Sequence, residues 1–142
     1  MKRILILCTG NSCRSQMAEG FLKSLNNELE VFSAGTKPAG KVNAFAVKAM
    51  REIGIDISNG VPKNVDKYLR QSFDYVITVC DNAKETCPVF SGNVKHRLHI
   101  GFDDPADAVG TEEEVMPVYR RVRDEIKRNF PKLYQDELRK ND

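Results

Sequence analysis

No apolar run in this sequence approaches the roughly 20 residues that a membrane-spanning helix needs, so no membrane segment is expected. Charge of one sign is also missing. The 22 Lys and Arg against 20 Asp and Glu leave a net +2, too little to argue for nucleic acid or an anionic membrane as partner. The opening Met1-Lys2-Arg3 leads into only four strongly apolar residues, short of the apolar core of an export signal, and a cytoplasmic location is expected. There are no internal repeats, low-complexity tracts or linkers. The 142 residues are therefore read as one domain, 1–142, long enough to bury a core without metal or disulfide staples. Cysteine is sparse, with four in the chain. In a reducing compartment these are reactive groups or packed thiols rather than staples, so thiol chemistry is the place to look.

The chain does contain one stretch around which the rest is organised, Cys8-Thr9-Gly10-Asn11-Ser12-Cys13-Arg14-Ser15. It follows the apolar run Ile4-Leu5-Ile6-Leu7 and precedes a helical pattern of Met17-Ala18, Phe21-Leu22 and Leu25. A strand that turns through a small polar loop into a helix offers backbone N–H groups and the positive end of the helix dipole to an anion. Arg14 adds a planar fork that grips two oxygens of a tetrahedral oxyanion, with Cys8 beneath the central atom. Thr9, Gly10, Asn11, Ser12, Cys13, Arg14 and Ser15 are thus the candidate oxyanion-binding residues. The same groups are expected to favour the Cys8 thiolate, the nucleophilic form. A cysteine followed after five residues by an arginine is the signature of thiol-based phosphatases, and the flanking strand and helix make it specific here. Cys13 reads as a small apolar group packed inside the loop.

Strands and helices alternate along the chain. Strands are expected at about Ile4–Leu7, Val31–Ala34, Tyr75–Val79 and, more weakly, Lys95–Ile100. Helices are expected at about Ser15–Leu25, after an Asn43 cap to Gly54, and after a Thr111/Glu114 capping box. Pro117 either kinks that last helix or marks its true start. A short helix is placed near Lys67–Gln71. This alternation predicts an α/β fold, a small parallel sheet covered on both faces, with ligands bound beyond the carboxyl ends of the strands. Cys8 and Cys80 each stand at such an end.

Cys80 and Cys87 change the reading from phosphatase to reductase. A phosphatase needs one nucleophilic thiol, whereas reduction of an oxyanion by two electrons leaves two thiols oxidised. Arsenate resembles phosphate in shape and charge. Cys8 would attack it with loss of water, Cys80 would attack the Cys8 sulfur and expel arsenite, and Cys87 would then move the disulfide outward from Cys8. If 80–87 is helical, its seven steps of about 1.5 Å separate the two Cα atoms by about 10 Å. A disulfide tolerates at most about 7 Å, so the segment must unwind and expose the bond to an external reductant. A small dithiol protein such as thioredoxin is the natural partner. A zinc site from Cys80, Cys87, His96 and His99 is the metal-based rival, although that spacing matches no common template. Expelling water needs a proton donor, and Asp103, Asp104 and Asp107 share one loop. Pro105 restricts the residue before it and favours Asp104.

These residues resemble the low-molecular-weight protein tyrosine phosphatase superfamily and, within it, the thioredoxin-coupled arsenate reductases. The similarity covers nearly the whole chain. It rests on 8–20, Ser33-Ala34-Gly35, Gly54-Ile55-Asp56-Ile57-Ser58, Val79-Cys80, Cys87-Pro88, 101–106 and 121–126. The resemblance implies a four-stranded parallel sheet with helices on both faces, Cys8 as nucleophile and Arg14 as oxyanion ligand. It further implies Asn11 shaping the loop, Ser15 holding the Cys8 thiolate, Asp104 as general acid, and Cys80 and Cys87 as relay thiols. Ala106-Asp107-Ala108 lacks the aromatic wall that phosphatases of this fold set around a phosphotyrosine ring, and Gln16 stands where they carry proline. Some of these reductases bind potassium beside the loop. Asn11, Glu19 and Ser33 match three of its ligands, but the stretch that supplies a carboxylate reads Val61-Pro62-Lys63-Asn64. The expectation is therefore a monomeric arsenate reductase with no tightly bound cofactor, potassium being the one candidate, taking arsenate (or phosphate or sulfate as analogue) and thioredoxin. The alternatives are a tyrosine phosphatase of this fold and a non-enzymatic oxyanion or redox sensor.

Overall fold

The computed structural model describes residues 2–81 and 89–138. Four parallel strands, β1 (Arg3–Cys8), β2 (Glu30–Gly35), β3 (Ser72–Thr78) and β4 (Asn93–His99), form one sheet in the order β2-β1-β3-β4. The apolar run Ile4–Leu7 explains why β1 is central, since a strand buried on both faces has no polar side to present. Ile4, Ile6 and Cys8 face the larger core, filled by α1 (Arg14–Leu25), α2 (Ala44–Arg51) and α3 (Glu112–Leu133) through Met17, Phe21, Met50, Tyr119, Ile126 and Phe130. Leu5 and Leu7 face a smaller cluster with Phe73, Val76, Phe90 and Tyr68, the last carried by a 3-10 turn at Val65–Tyr68. Both faces are thus covered: α-helices on one, this turn and Phe90 on the other. By contrast β4 is mostly exposed and carries Lys95, His96 and Arg97, as suits an edge strand.

Local sequence accounts for the element ends. The Asn43 side chain accepts from the backbone N–H groups of Phe45 and Ala46 and starts α2, and Gly54 takes φ +82 after it. Thr111 and Glu114 form the reciprocal capping box that starts α3 at Glu112. Pro117 therefore lies inside α3 and does not mark its beginning: the box already fixes the start, and the missing proline N–H removes one early hydrogen bond. The carboxyl end of α2 is clasped to the middle of α3 where Arg120 and Arg123 both reach Glu52, at 2.9 and 2.8 Å.

The connection from β1 leads through α1 to β2 on one side, and the chain then returns to β3 on the other side of β1. This reversal makes the carboxyl ends of β1 and β3 the topological switch point, where open α/β sheets bind their ligands.

Candidate functional site

At that switch point the loop from Cys8 to Arg14 is shaped by where its carbonyls go. The carbonyl of Thr9 accepts from Lys37 N at 3.0 Å, that of Gly10 from Ala39 N at 2.9 Å, and that of Ser12 from Asn43 N at 3.0 Å. The Asn11 carbonyl accepts from Gln16 Nε2 at 3.2 Å, and the Cys13 carbonyl from Met17 N at 2.9 Å as the first helical bond. A trans peptide sets the next N–H opposite each C=O. Carbonyls drawn outward therefore turn the amides of residues 10 to 14 inward. Asn11 shows this directly: its φ of +52 is left-handed, and its N–H donates to Cys8 Sγ at 3.1 Å. Helix α1 begins without a side-chain cap at Cys13, which leaves its N-terminal amides to the same concavity. Gly35, at the end of β2, is required by this packing: a Cβ there would lie 2.2 Å from the Thr9 carbonyl oxygen.

Cys8 ends β1 and is 2% exposed. Its sulfur lies 2.9 Å from Ser15 Oγ, and Ser15 Oγ accepts from Asn11 Nδ2 at 2.7 Å. Burial pushes the Cys8 thiol up, whereas the Ser15 hydroxyl, the Arg14 charge and the amides of Asn11 and Ser15 draw it down. The groups expected to favour the thiolate are in place, and burial opposes them, holding the thiol above its ordinary value. Burial pushes Cys13 up to about 12, which keeps it a packed thiol inside the loop.

Arg14 is buried beside this cradle. Its NH1 donates to the Phe102 carbonyl at 3.2 Å, and its NH2 stands 3.5 Å from Asp104 Oδ2. The segment after β4 reaches this place by continuing its ladder, Ile100 N on the Thr78 carbonyl and Phe102 N on the Val79 carbonyl, at 2.9 and 3.1 Å. Asp104 then caps the short 3-10 turn Pro105–Asp107, its Oδ1 accepting from Ala106 N at 3.0 Å. Asp103 points elsewhere, to Arg121 at 3.0 Å on the surface. Spacing alone left three carboxylates as candidates, and the geometry brings Asp104 to the guanidinium.

Cys80 follows β3, the strand paired with β1 through Leu7 and Thr78, so Cys8 and Cys80 close adjacent strands. Cys80 is buried and disulfide-bonded, while Cys8 and Cys13 are free thiols. Cys87 falls in 82–88, outside the described residues. His96 and His99, three apart on β4, face opposite sides: His96 stacks on Tyr75, and His99 Nδ1 meets Thr78 Oγ1 at 2.7 Å. Among the described residues no group of three or more His, Cys, Asp or Glu could hold a metal ion.

Behind the loop lies a cavity of about 580 Å³ whose lining includes Gln16, Glu19, Gly60 and Lys63 but not Cys8. Ser33 Oγ donates to Glu19 Oε1 at 2.6 Å, Lys23 pairs with Glu19 at 2.6 Å, and Asn11 Oδ1 accepts from Gln16 Nε2 and Lys63 N at 3.2 and 2.9 Å. Sequence reasoning recognised Asn11, Glu19 and Ser33, but it missed the Lys63 amide, the Gln16 side chain and the Phe102 carbonyl as parts of the site. A glutamine directly after Arg-Ser, where phosphatases of this fold carry proline, was the local signal for one of them.

Comparison with known proteins agrees with this geometry. Residues 3–142 match the model of the low molecular weight phosphotyrosine protein phosphatases. Arsenate reductases from Halalkalibacterium halodurans and Bacillus subtilis are 56% and 53% identical over 126 residues, 88% of this chain and 89% of each relative. The solved structure of an arsenate reductase in its phosphate-binding state superposes with a TM-score of 0.77 at 30% identity, covering 94% of this chain and 96% of the other. The chain belongs to the low molecular weight phosphotyrosine protein phosphatase family.

Proposed function

We propose that this protein reduces arsenate to arsenite by a relay through Cys8, Cys80 and Cys87, regenerated by thioredoxin. Cys8 as thiolate forms a sulfur–arsenic bond while one arsenate oxygen leaves as water, protonated by way of Asp104. Cys80 then attacks the Cys8 sulfur. The sulfur–arsenic bond breaks, its electron pair stays on arsenic, and arsenite leaves behind a Cys8–Cys80 disulfide. Attack by Cys87 on Cys80 frees Cys8 and moves the bond outward, where a dithiol protein reduces it. Arg14 and the inward amides hold the oxyanion through each step.

The observation that carries the proposal is the pairing of an amide-lined cradle at Cys8 with a second cysteine at the end of the neighbouring strand. The relatives at 56% and 53% identity carry the name arsenate reductase, which supports the same substrate here. Hydrolysis of phosphate esters on the same cradle is the natural side activity, without the aromatic wall that would select phosphotyrosine. A potassium ion is a poor fit to the donor set. The Glu19 and Asn11 oxygens already accept from Ser33, Lys23, Gln16 and Lys63, and the Lys63 chain lines the same cavity.

The test is mass spectrometry of the reduced protein after one equivalent of arsenate without reductant. The expected result is the loss of two hydrogens with the bridge mapped to Cys80 and Cys87. An unchanged mass defeats the assignment. In Cys80→Ser, turnover with arsenate and thioredoxin should vanish while hydrolysis of an aryl phosphate persists.

A further inference from the structure

We propose that Gln16 is the positioning residue of the anion loop: its side-chain amide holds Asn11 in the left-handed conformation that aims the loop amides at Cys8. Thr9, Gly10, Ser12 and Cys13 each give their carbonyl to a backbone N–H of another residue. The Asn11 carbonyl, at the centre of the loop, accepts instead from a side chain, Gln16 Nε2. The same Nε2 also donates to Asn11 Oδ1, so the two amide hydrogens grip the backbone and side-chain oxygens of one residue at 3.2 Å each.

The orientation of this amide follows from its partners. A backbone carbonyl only accepts, and Asn11 Nδ2 is already committed to Ser15 Oγ, so Gln16 must turn its NH₂ toward Asn11. Its oxygen then points to Gly60, where a Cβ would lie 2.4 Å from Oε1. The pocket for Gln16 is thus completed by a glycine from the 60–63 segment. Lys63 N from the same segment makes the other bond to Asn11 Oδ1, at 2.9 Å.

The consequence reaches the sulfur. Asparagine tolerates the left-handed region better than most residues with a side chain, and here donors to both of its oxygens hold it there. With φ at +52, the Asn11 N–H reaches Cys8 Sγ, and its side chain orients Ser15 Oγ against the same atom. Gln16 is 2% exposed and lies among neither the cysteines nor the oxyanion ligands. It acts through Asn11. Removing its donors leaves a buried carbonyl without its partner, and the loop gains by letting Asn11 relax away from sulfur.

The inference rests on Cys8 being the reactive thiol, and its test needs no arsenate. The reduced protein is alkylated with iodoacetamide across a pH series, and modification is read on the Cys8 peptide by mass spectrometry. Inorganic phosphate is titrated separately by calorimetry. Gln16→Met, which keeps the volume and removes both donors, should move the Cys8 profile upward by about one pH unit, a tenfold slower alkylation below the midpoint, and weaken phosphate at least about threefold. Gly60→Ala, which displaces the amide from outside, should shift the profile in the same direction. A folded Gln16→Met with the wild-type profile and only a lower melting temperature overturns the proposal. If Gln16→Met does not fold, Gly60→Ala decides on the same readout, and an unmoved profile there overturns it equally. Failure of arsenate reduction with an intact Cys8 profile would instead remove the reductase reading and leave the role of Gln16 standing.

Discussion

Two loops meet at the oxyanion site, each at the carboxyl end of a strand, and they are built differently. The loop after β1 is buried, with Asn11, Ser15 and Cys8 at 0%, 0% and 2% exposure, and its carbonyls are tied to α1, α2 and the segment after β2. The loop after β4 is half solvated. Its Asp104 side chain is 30% exposed and meets the site at Arg14, 3.5 Å away, while Asp103 bonds outward to Arg121. The difference fits the proposed roles. A loop that binds a doubly charged oxyanion gains from dipoles that need no reorganisation. A carboxyl that delivers a proton must exchange with water between turnovers, and a surface position allows that.

This contrast is sharpened first by Arg14→Ala, the largest effect expected. It removes the proposed oxyanion ligand from the buried loop and should lower turnover of arsenate on the order of 10²–10³-fold in kcat. It also strips away one of the groups that offset burial at Cys8, so its alkylation profile should move to higher pH. The sign is direct. Burial raises the thiol, so activity increases with pH as the thiolate forms, and the variant needs a higher pH to reach the same fraction.

Asp104→Asn and Asp103→Asn form the next pair. The first should lower turnover by about 10²-fold and flatten the limb of the pH profile on which a protonated carboxyl is needed, whereas the second should stay within about twofold. Equal losses in the two would break the assignment of Asp104 as donor, because Asp104 stands 3.5 Å from Arg14 whereas Asp103 pairs with Arg121.

The smallest effect lies away from both loops. Arg120, and then Arg123, hold the Glu52 carboxyl down from 4.5 to about 2. A lowered folded-state value means stability that is present above about pH 4.5 and lost as pH falls toward about 2. Glu52→Gln should therefore lessen the acid dependence of the melting temperature in that window while leaving arsenate turnover at neutral pH unchanged. Glu52 and Arg120 are exposed, so the shift is expected to be small and to shrink with added salt.

Much of this was legible before any coordinates. The run Ile4–Leu7 announced a strand buried on both faces, the alternation announced a parallel sheet, and the Asn43 cap and Thr111/Glu114 box announced where α2 and α3 begin. The cysteine, five residues and arginine announced an oxyanion cradle. Three things were not legible. Pro117 read as a possible start because the capping box and the proline are competing local signals, and only the packed helix ranks them. Pro105 pointed to Asp104 among Asp103, Asp104 and Asp107, but only the fold sets that carboxyl 3.5 Å from Arg14. The protonation of Cys8 depended on burial, a property of the whole core rather than of eight residues.

The amino-acid sequence by itself determined the chemistry available, namely a nucleophilic thiol, a guanidinium, two further cysteines and a carboxylate before proline, because these are properties of residue type and spacing. Only the tertiary structure decided how that chemistry is aimed. The carbonyls of one loop are drawn outward by donors 28 to 31 residues away in the chain and by Gln16, and that long-range pairing turns the amides toward sulfur.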